Sequence, residues 1–255
     1  MAKISICIEM LCGEVDFYER PAKAKALGFS AVEFWGTGNK DIDRLKKACG
    51  DAGVAVAGFC GPGGVSFVEK QPVRKLKQAM KESIAIAKKL GNKALIVTVG
   101  NTQEGVPAKR QMNNIIKNLK VIAPLAEGAG LKLAVEPLNT LVDHKGYFLD
   151  RTADGVEIAR QVASPAVGLL YDVYHMQIME GNLIATIKAN AGLIYHVHIG
   201  DVPGRMEPGT GEINYANVLK AIDAAGYQGY CGFEFRPSDS SEGALTRAKK
   251  ACGLV

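Results

Sequence analysis

Eight short apolar segments recur along this 255-residue chain, and the stretches between them carry apolar residues at helical spacing. The apolar segments fall at 4–9, 31–35, 54–59, 94–99, 131–136, 168–172, 193–199 and 230–235. Most are near-continuous rather than alternating, which is the pattern of parallel strands covered on both faces. The stretches at 21–29, 41–53, 73–91, 109–130 and 214–229 read as amphipathic helices. Gly28, Gly53, Gly91, Gly130 and Gly226 stand where those helices should stop. Neighbouring parallel strands need a crossover of a dozen or more residues, so this alternation is what a β/α chain requires. Eight repeats predict an α/β protein with a single (β/α)8 barrel domain over residues 1–255. A doubly wound open sheet is the competing arrangement. It would normally carry a glycine fingerprint after its first strand, and IEMLCGEVDF has none.

Composition narrows the function classes. Hydrophobic residues make up 47% and charged residues 22%, enough apolar material for a sizeable core and too much for disorder. The net charge of +5 is mild, and the lysines are spread along helical stretches such as Lys46, Lys47, Lys88, Lys89, Lys117 and Lys120. That spread reads as solvated helix faces, not a nucleic-acid track. There is no apolar run of membrane-spanning length, and MAKISICIEML reads as a first strand, not a signal peptide. Six cysteines with no C-x-x-C pair suit reduced thiols in the cytoplasm. No membrane or nucleic-acid partner is expected. Self-association into a homo-oligomer stays open.

Four of the later apolar segments end, or nearly end, in a metal-ligating side chain: Glu136, Asp172, His198 and Glu234. An unpaired buried charge is costly, so a carboxylate rarely ends an apolar run by accident. In a (β/α)8 barrel the C-terminal strand ends converge on one mouth, where active sites lie. Three carboxylates and one imidazole suit magnesium or manganese, or cobalt, better than zinc. Each residue also has a plainer reading. Glu136 could cap a turn before Pro137, and Asp172 could cap the next helix. The H-x-H of His196 and His198 puts both rings on one strand face, where either could be a satisfied core histidine. Glu234 lies between Phe233 and Phe235 and points opposite to both, so it is hard to explain without a partner.

The strings VEPLNT (135–140), YDVYHMQIMEG (171–181), IYHVHIGDVPGRMEPGTGEINY (194–215) and GYQGYCGFEFRP (226–237) resemble those of hydroxypyruvate isomerases. Those enzymes belong to the xylose isomerase-like TIM barrel superfamily, with ketose 3-epimerases and endonuclease IV-type enzymes. The resemblance implies one divalent metal ion on Glu136, Asp172, His198 and Glu234, the same four residues. It also implies that His175 and Arg205 contact substrate. Some relatives carry glutamine at the position of His198, so this ligand set looks more epimerase-like. Val142 stands where several relatives have a polar residue, and Asp143 or His144 is expected to take that role.

The resemblance further implies isomerisation of a small hydroxy-keto acid or ketose, with hydroxypyruvate to tartronate semialdehyde first. Glu136 and Glu234 would exchange the proton as general acid and base. Arg205 offers a fork suited to a carboxylate. Ketose 3-epimerisation of the D-tagatose or D-allulose type and 2-oxo-tetronate isomerisation are the near alternatives. A nuclease is the remote one, since four histidines are few for a multi-zinc cluster. The loop 201–215 is expected to fold over the mouth as a partly ordered lid, with Asn214 capping the next helix. Trp35, at the end of the second strand with Glu33, either walls the pocket or packs the rim.

Overall fold

The computed structural model describes residues 3–254. Eight parallel strands close in sequence order into one barrel, with β1 paired to β8. They are β1 (Lys3–Cys7), β2 (Ala31–Phe34), β3 (Ala55–Cys60), β4 (Ala94–Val97), β5 (Lys132–Val135), β6 (Val167–Asp172), β7 (Ile194–Ile199) and β8 (Tyr230–Phe233). All eight expected strands are present. Around them run α1 (Arg20–Ala26), α2 (Ile42–Ala52), α3 (Val73–Leu90), α4 (Ala108–Ala129), α5 (Thr152–Val162), α6 (Val173–Met179), α7 (Leu183–Asn190), α8 (Tyr215–Ala224) and α9 (Ser241–Ala251). Among the described residues no helix is long and apolar enough to cross a membrane.

Strands β2 and β6 are buried along their whole length, as continuous apolar segments between a packed barrel interior and a helical coat must be. Side chains pointing outward pack on the helices. Others pack on the loops between helix and strand, as Phe233 does where it meets Phe29, between α1 and β2, edge-on at 6.0 Å between ring centroids. Gly53, Gly91 and Gly130 close α2, α3 and α4 in the left-handed conformation that favours glycine.

Several strands end sooner than the apolar pattern does. β5 stops at Val135 and β8 at Phe233, one residue short of Glu136 and Glu234. The backbone still holds both residues in line, since Glu136 N donates to Val97 O and Glu234 N donates to Ile199 O, each at 3.0 Å. β6 runs straight into α6 with no loop between them. Asp172 is therefore both the last residue of the strand and the helix cap, its side chain accepting from His175 N at 3.2 Å.

Candidate metal centre and active site

The four strand-end residues meet. Their ligand atoms lie within 4.8 Å of one another, and all four residues are buried. The centre of the group is His198 Nδ1, which has Glu234 Oε2 at 3.1 Å, Glu136 Oε1 at 3.3 Å and Asp172 Oδ2 at 3.9 Å. None of these contacts has the geometry of a hydrogen bond, so Nδ1 is a buried nitrogen with no partner of its own. Asp172 and His198 stand side by side in the β6–β7 register, and β5 and β8 bring the two glutamates in from either flank. A partnerless imidazole nitrogen facing three carboxylates fits a divalent cation, because each donor faces the same small volume and a cation satisfies all of them.

The protein supplies two cations of its own here: the His198 ring, whose pKa burial would lower but Glu234 and Glu33 raise, and Arg205. The arginine sits on the loop after β7 with φ of 54°, in the left-handed region, and its Nη2 bonds Glu234 Oε2 and lies 3.5 Å from Asp172 Oδ2. Its guanidinium carbon stands 5.2 Å from the centre of the Tyr174 ring. Trp35 Nε1 donates to Glu234 Oε1 at 2.6 Å, so Trp35 both walls the pocket and orients a carboxylate. The two acids are pushed apart. Burial raises Asp172 above the usual carboxylate range. Burial would raise Glu234 as well, but the charges of His198 and Arg205 outweigh it and hold Glu234 well below that range.

His175, on the first turn of α6, is fully buried. Burial, reinforced by the Arg205 charge, lowers its pKa to about 3, so the ring is neutral. Its tautomer follows from Asn139. The Asn139 Oδ1 accepts from Val142 N and Asp143 N, which turns the amide nitrogen towards His175 Nδ1 at 2.7 Å. Nδ1 must therefore accept, and the ring proton resides on Nε2. That N–H has no hydrogen-bond partner. Asp143, one of the two residues expected to replace a missing polar group, braces this unit by accepting from Asn139 Nδ2 and Tyr174 OH. His144 packs edge-on against His175 at 5.2 Å.

These groups line a cavity of about 380 Å³ together with Cys60, Ile96, Thr98, Leu138 and Arg236. A groove of about 510 Å³ on the outer coat is larger, lined by Lys70, Lys109, Arg110 and Lys117, but no carboxylate or imidazole lines it. The expected lid, loop 201–215, carries Arg205 to the cavity and is braced by two of its own buried carboxylates. The buried Asp201 carboxylate accepts from the backbone N–H of Val202, Gly209, Gly211 and Ile213. Glu207, also buried, ties the loop to Ser238 and Arg247. Asn214 does cap α8, accepting from Asn217 N at 3.1 Å.

Sequence reasoning named Glu33 only as a strand-end residue beside Trp35 and gave no role to Asn139 or Tyr174. Glu33 was legible by the rule that found the others, being a charge inside the apolar run AVEFW. Asn139 and Tyr174 give no comparable signal, since polar residues in loops and on helices are ordinary.

The chain matches the family model described as "Xylose isomerase-like TIM barrel" over residues 21–252. It belongs to that family. The curated hydroxypyruvate isomerase of Escherichia coli (strain K12) is 33% identical over 96% of this chain and 97% of its own length. A 2-oxo-tetronate isomerase of Cupriavidus necator is 30% identical over 99% of this chain and 100% of its own. Among solved structures, one titled AP endonuclease, family 2, from Brucella melitensis superposes with a TM-score of 0.91 at 28% identity, covering 97% of this chain and 98% of that one. With two full-length relatives bearing the isomerase name, the chain is an isomerase of this xylose isomerase-like barrel family.

Proposed function

We propose that this isomerase interconverts hydroxypyruvate and tartronate semialdehyde with one divalent ion held by Glu136, Asp172, His198 and Glu234. The observation that carries the reading is the convergence of Glu136 and Glu234 on His198 Nδ1 inside a cavity that also holds guanidinium groups. When bound, the ion supplies polarisation of adjacent carbonyl and hydroxyl oxygens. One glutamate takes a proton from the hydroxyl-bearing carbon, and the hydroxyl proton passes to the neighbouring oxygen. The other glutamate, which enters the cycle protonated, gives its proton to the former carbonyl carbon, and a proton passing back between the two restores the starting state.

His175 fits a donor to a substrate oxygen because its ring is neutral and its Nε2–H makes no hydrogen bond, the nearest carboxylate oxygen, Asp172 Oδ2, standing 3.4 Å away. Arg205 holds Glu234 in place and presents its remaining N–H groups to the same cavity. Arg236, exposed on the cavity wall and without an ion pair among the described residues, is the second guanidinium within reach of a substrate carboxylate. The test is a metal-reconstituted assay against hydroxypyruvate, tetronates and neutral ketoses. Turnover of hydroxypyruvate above all others supports the reading. Turnover of a four-carbon keto acid moves it to 2-oxo-tetronate isomerisation. Epimerisation of neutral ketoses with none of hydroxypyruvate refutes the keto-acid assignment.

A further inference from the structure

Below the four strand-end residues lies a second buried cluster that the reaction above does not use. Glu33 on β2 is 1% exposed, although no lysine or arginine reaches it among the described residues. Its Oε2 accepts from Ser5 Oγ at 2.7 Å and pairs with His196 Nε2 at 2.9 Å. Its Oε1 lies 2.9 Å from His198 Nε2, the ring nitrogen turned away from the three carboxylates. Oε1 and Nε2 are both buried, and neither makes a hydrogen bond in the structure, their mutual contact included. Two orphaned polar atoms at this distance leave both desolvation penalties unmet unless they satisfy each other.

Room for the carboxylate comes from Gly232, which pairs with Ser5 on one side and with His198 on the other. A side chain there would collide, since its Cβ would stand 2.1 Å from Glu33 Oε1.

We propose that Glu33 is a positioning residue for the metal centre. By accepting the proton of His198 Nε2 it holds the ring so that Nδ1 presents its lone pair to the point where Glu136, Asp172 and Glu234 converge. This rests on the metal-centre reading above. The competing use of the cluster is a second ion, because Glu33, His196 and His198 also lie within 4.8 Å of one another. Geometry argues against it. Ser5 and His196 already engage Oε2, and Oε1 stands 2.9 Å from a nitrogen that must keep its proton if Nδ1 is the metal ligand, so a second ion would have to displace that proton. A carboxylate behind a ligating histidine fixes its tautomer and orientation, and losing such a partner typically lowers metal affinity about ten- to a hundredfold.

The experiment is calorimetric titration of chelator-stripped wild type and Glu33→Gln with Mn2+, without substrate, alongside thermal melts of the stripped proteins. The expected result is one ion per wild-type chain and one per variant chain, with affinity reduced about ten- to a hundredfold. Long-range 15N–1H spectra of the Mg2+-loaded wild type give a second readout that needs no variant, and His198 should carry its proton on Nε2. A folded Glu33→Gln with unchanged affinity, or a proton on His198 Nδ1, overturns the inference. Two ions in the wild type, falling to one in the variant, overturns it in favour of a second metal site. A wild type that binds no divalent ion fails the metal-centre reading itself, which separates the two failures.

Discussion

Replacing Glu234 by Gln removes a proton-accepting oxygen while keeping the side chain's shape. In the structure both oxygens are occupied: Oε1 accepts from Trp35 Nε1 at 2.6 Å and Oε2 from Arg205 Nη2. An amide has one acceptor oxygen and one NH2 group, so either the tryptophan or the arginine must face a donor. A buried donor left unmatched costs about 1–3 kcal/mol. For a chain of this size each kcal/mol shifts Tm by about 2–4 °C. The expected melting point is therefore several degrees lower, with the barrel intact. Turnover should fall much further, because a general acid/base contributes about 10²–10⁴-fold. The assay is kcat at saturating Mn2+ and saturating hydroxypyruvate, with a melt on the same preparation. A folded Glu234→Gln within tenfold of wild-type kcat would refute the assignment of Glu234 to proton transfer. A loss seen at low Mn2+ that vanishes at saturation would make Glu234 a ligand only.

Glu136→Gln should lower kcat by a similar factor of about 10²–10⁴, and full turnover in it under the same conditions removes the other half of the pair. Arg236→Ala should lower kcat/KM for a keto acid about ten- to a hundredfold, the worth of a charge-assisted hydrogen bond, and leave a neutral ketose nearly unaffected. Arg205→Ala should harm acid and neutral substrates alike, since Glu234 loses its partner; a loss confined to the acid would assign the carboxylate to Arg205 instead. Chelation should abolish turnover and lower the melting point, and re-addition of Mn2+ or Mg2+ should restore both; activity that persists in the stripped protein excludes the metal-dependent reading. Burial would raise the pKa of Glu207, but hydrogen bonds from Ser238 and Arg247 outweigh it and hold it below the usual value. Its stabilising effect is then present above the unfolded carboxylate value of about 4.3 and is lost as pH falls through the lower folded value. Glu207→Gln should therefore lower Tm at pH 7 and flatten its decline as pH falls below about 4.3; an unchanged acid limb rules this out.

The barrel and its four strand-end ligands could be read in the chain because both leave local marks. Continuous apolar runs separated by helix-period stretches demand parallel strands with crossovers, and a carboxylate at the end of such a run is conspicuous wherever the strand lies. Those marks identify candidates, but not what each one faces. That Glu136, Asp172 and Glu234 address one nitrogen of His198 depends on the register of β6 with β7 and of β7 with β8. The link between Glu33 and His196, 163 residues apart, exists only because closure of β1 onto β8 brings β2 within reach of β7 across the interior. The His175 tautomer depends on the orientation of one asparagine amide, set by two backbone N–H groups in the loop after β5. The loop 201–215 reads as a lid from its glycines and prolines, but nothing local signals that one buried carboxylate, Asp201, collects four of its N–H groups. Periodicity assigns each side chain to a face of its own strand or helix, whereas the partner across the barrel is chosen by closure and stagger, which no stretch of sequence encodes alone.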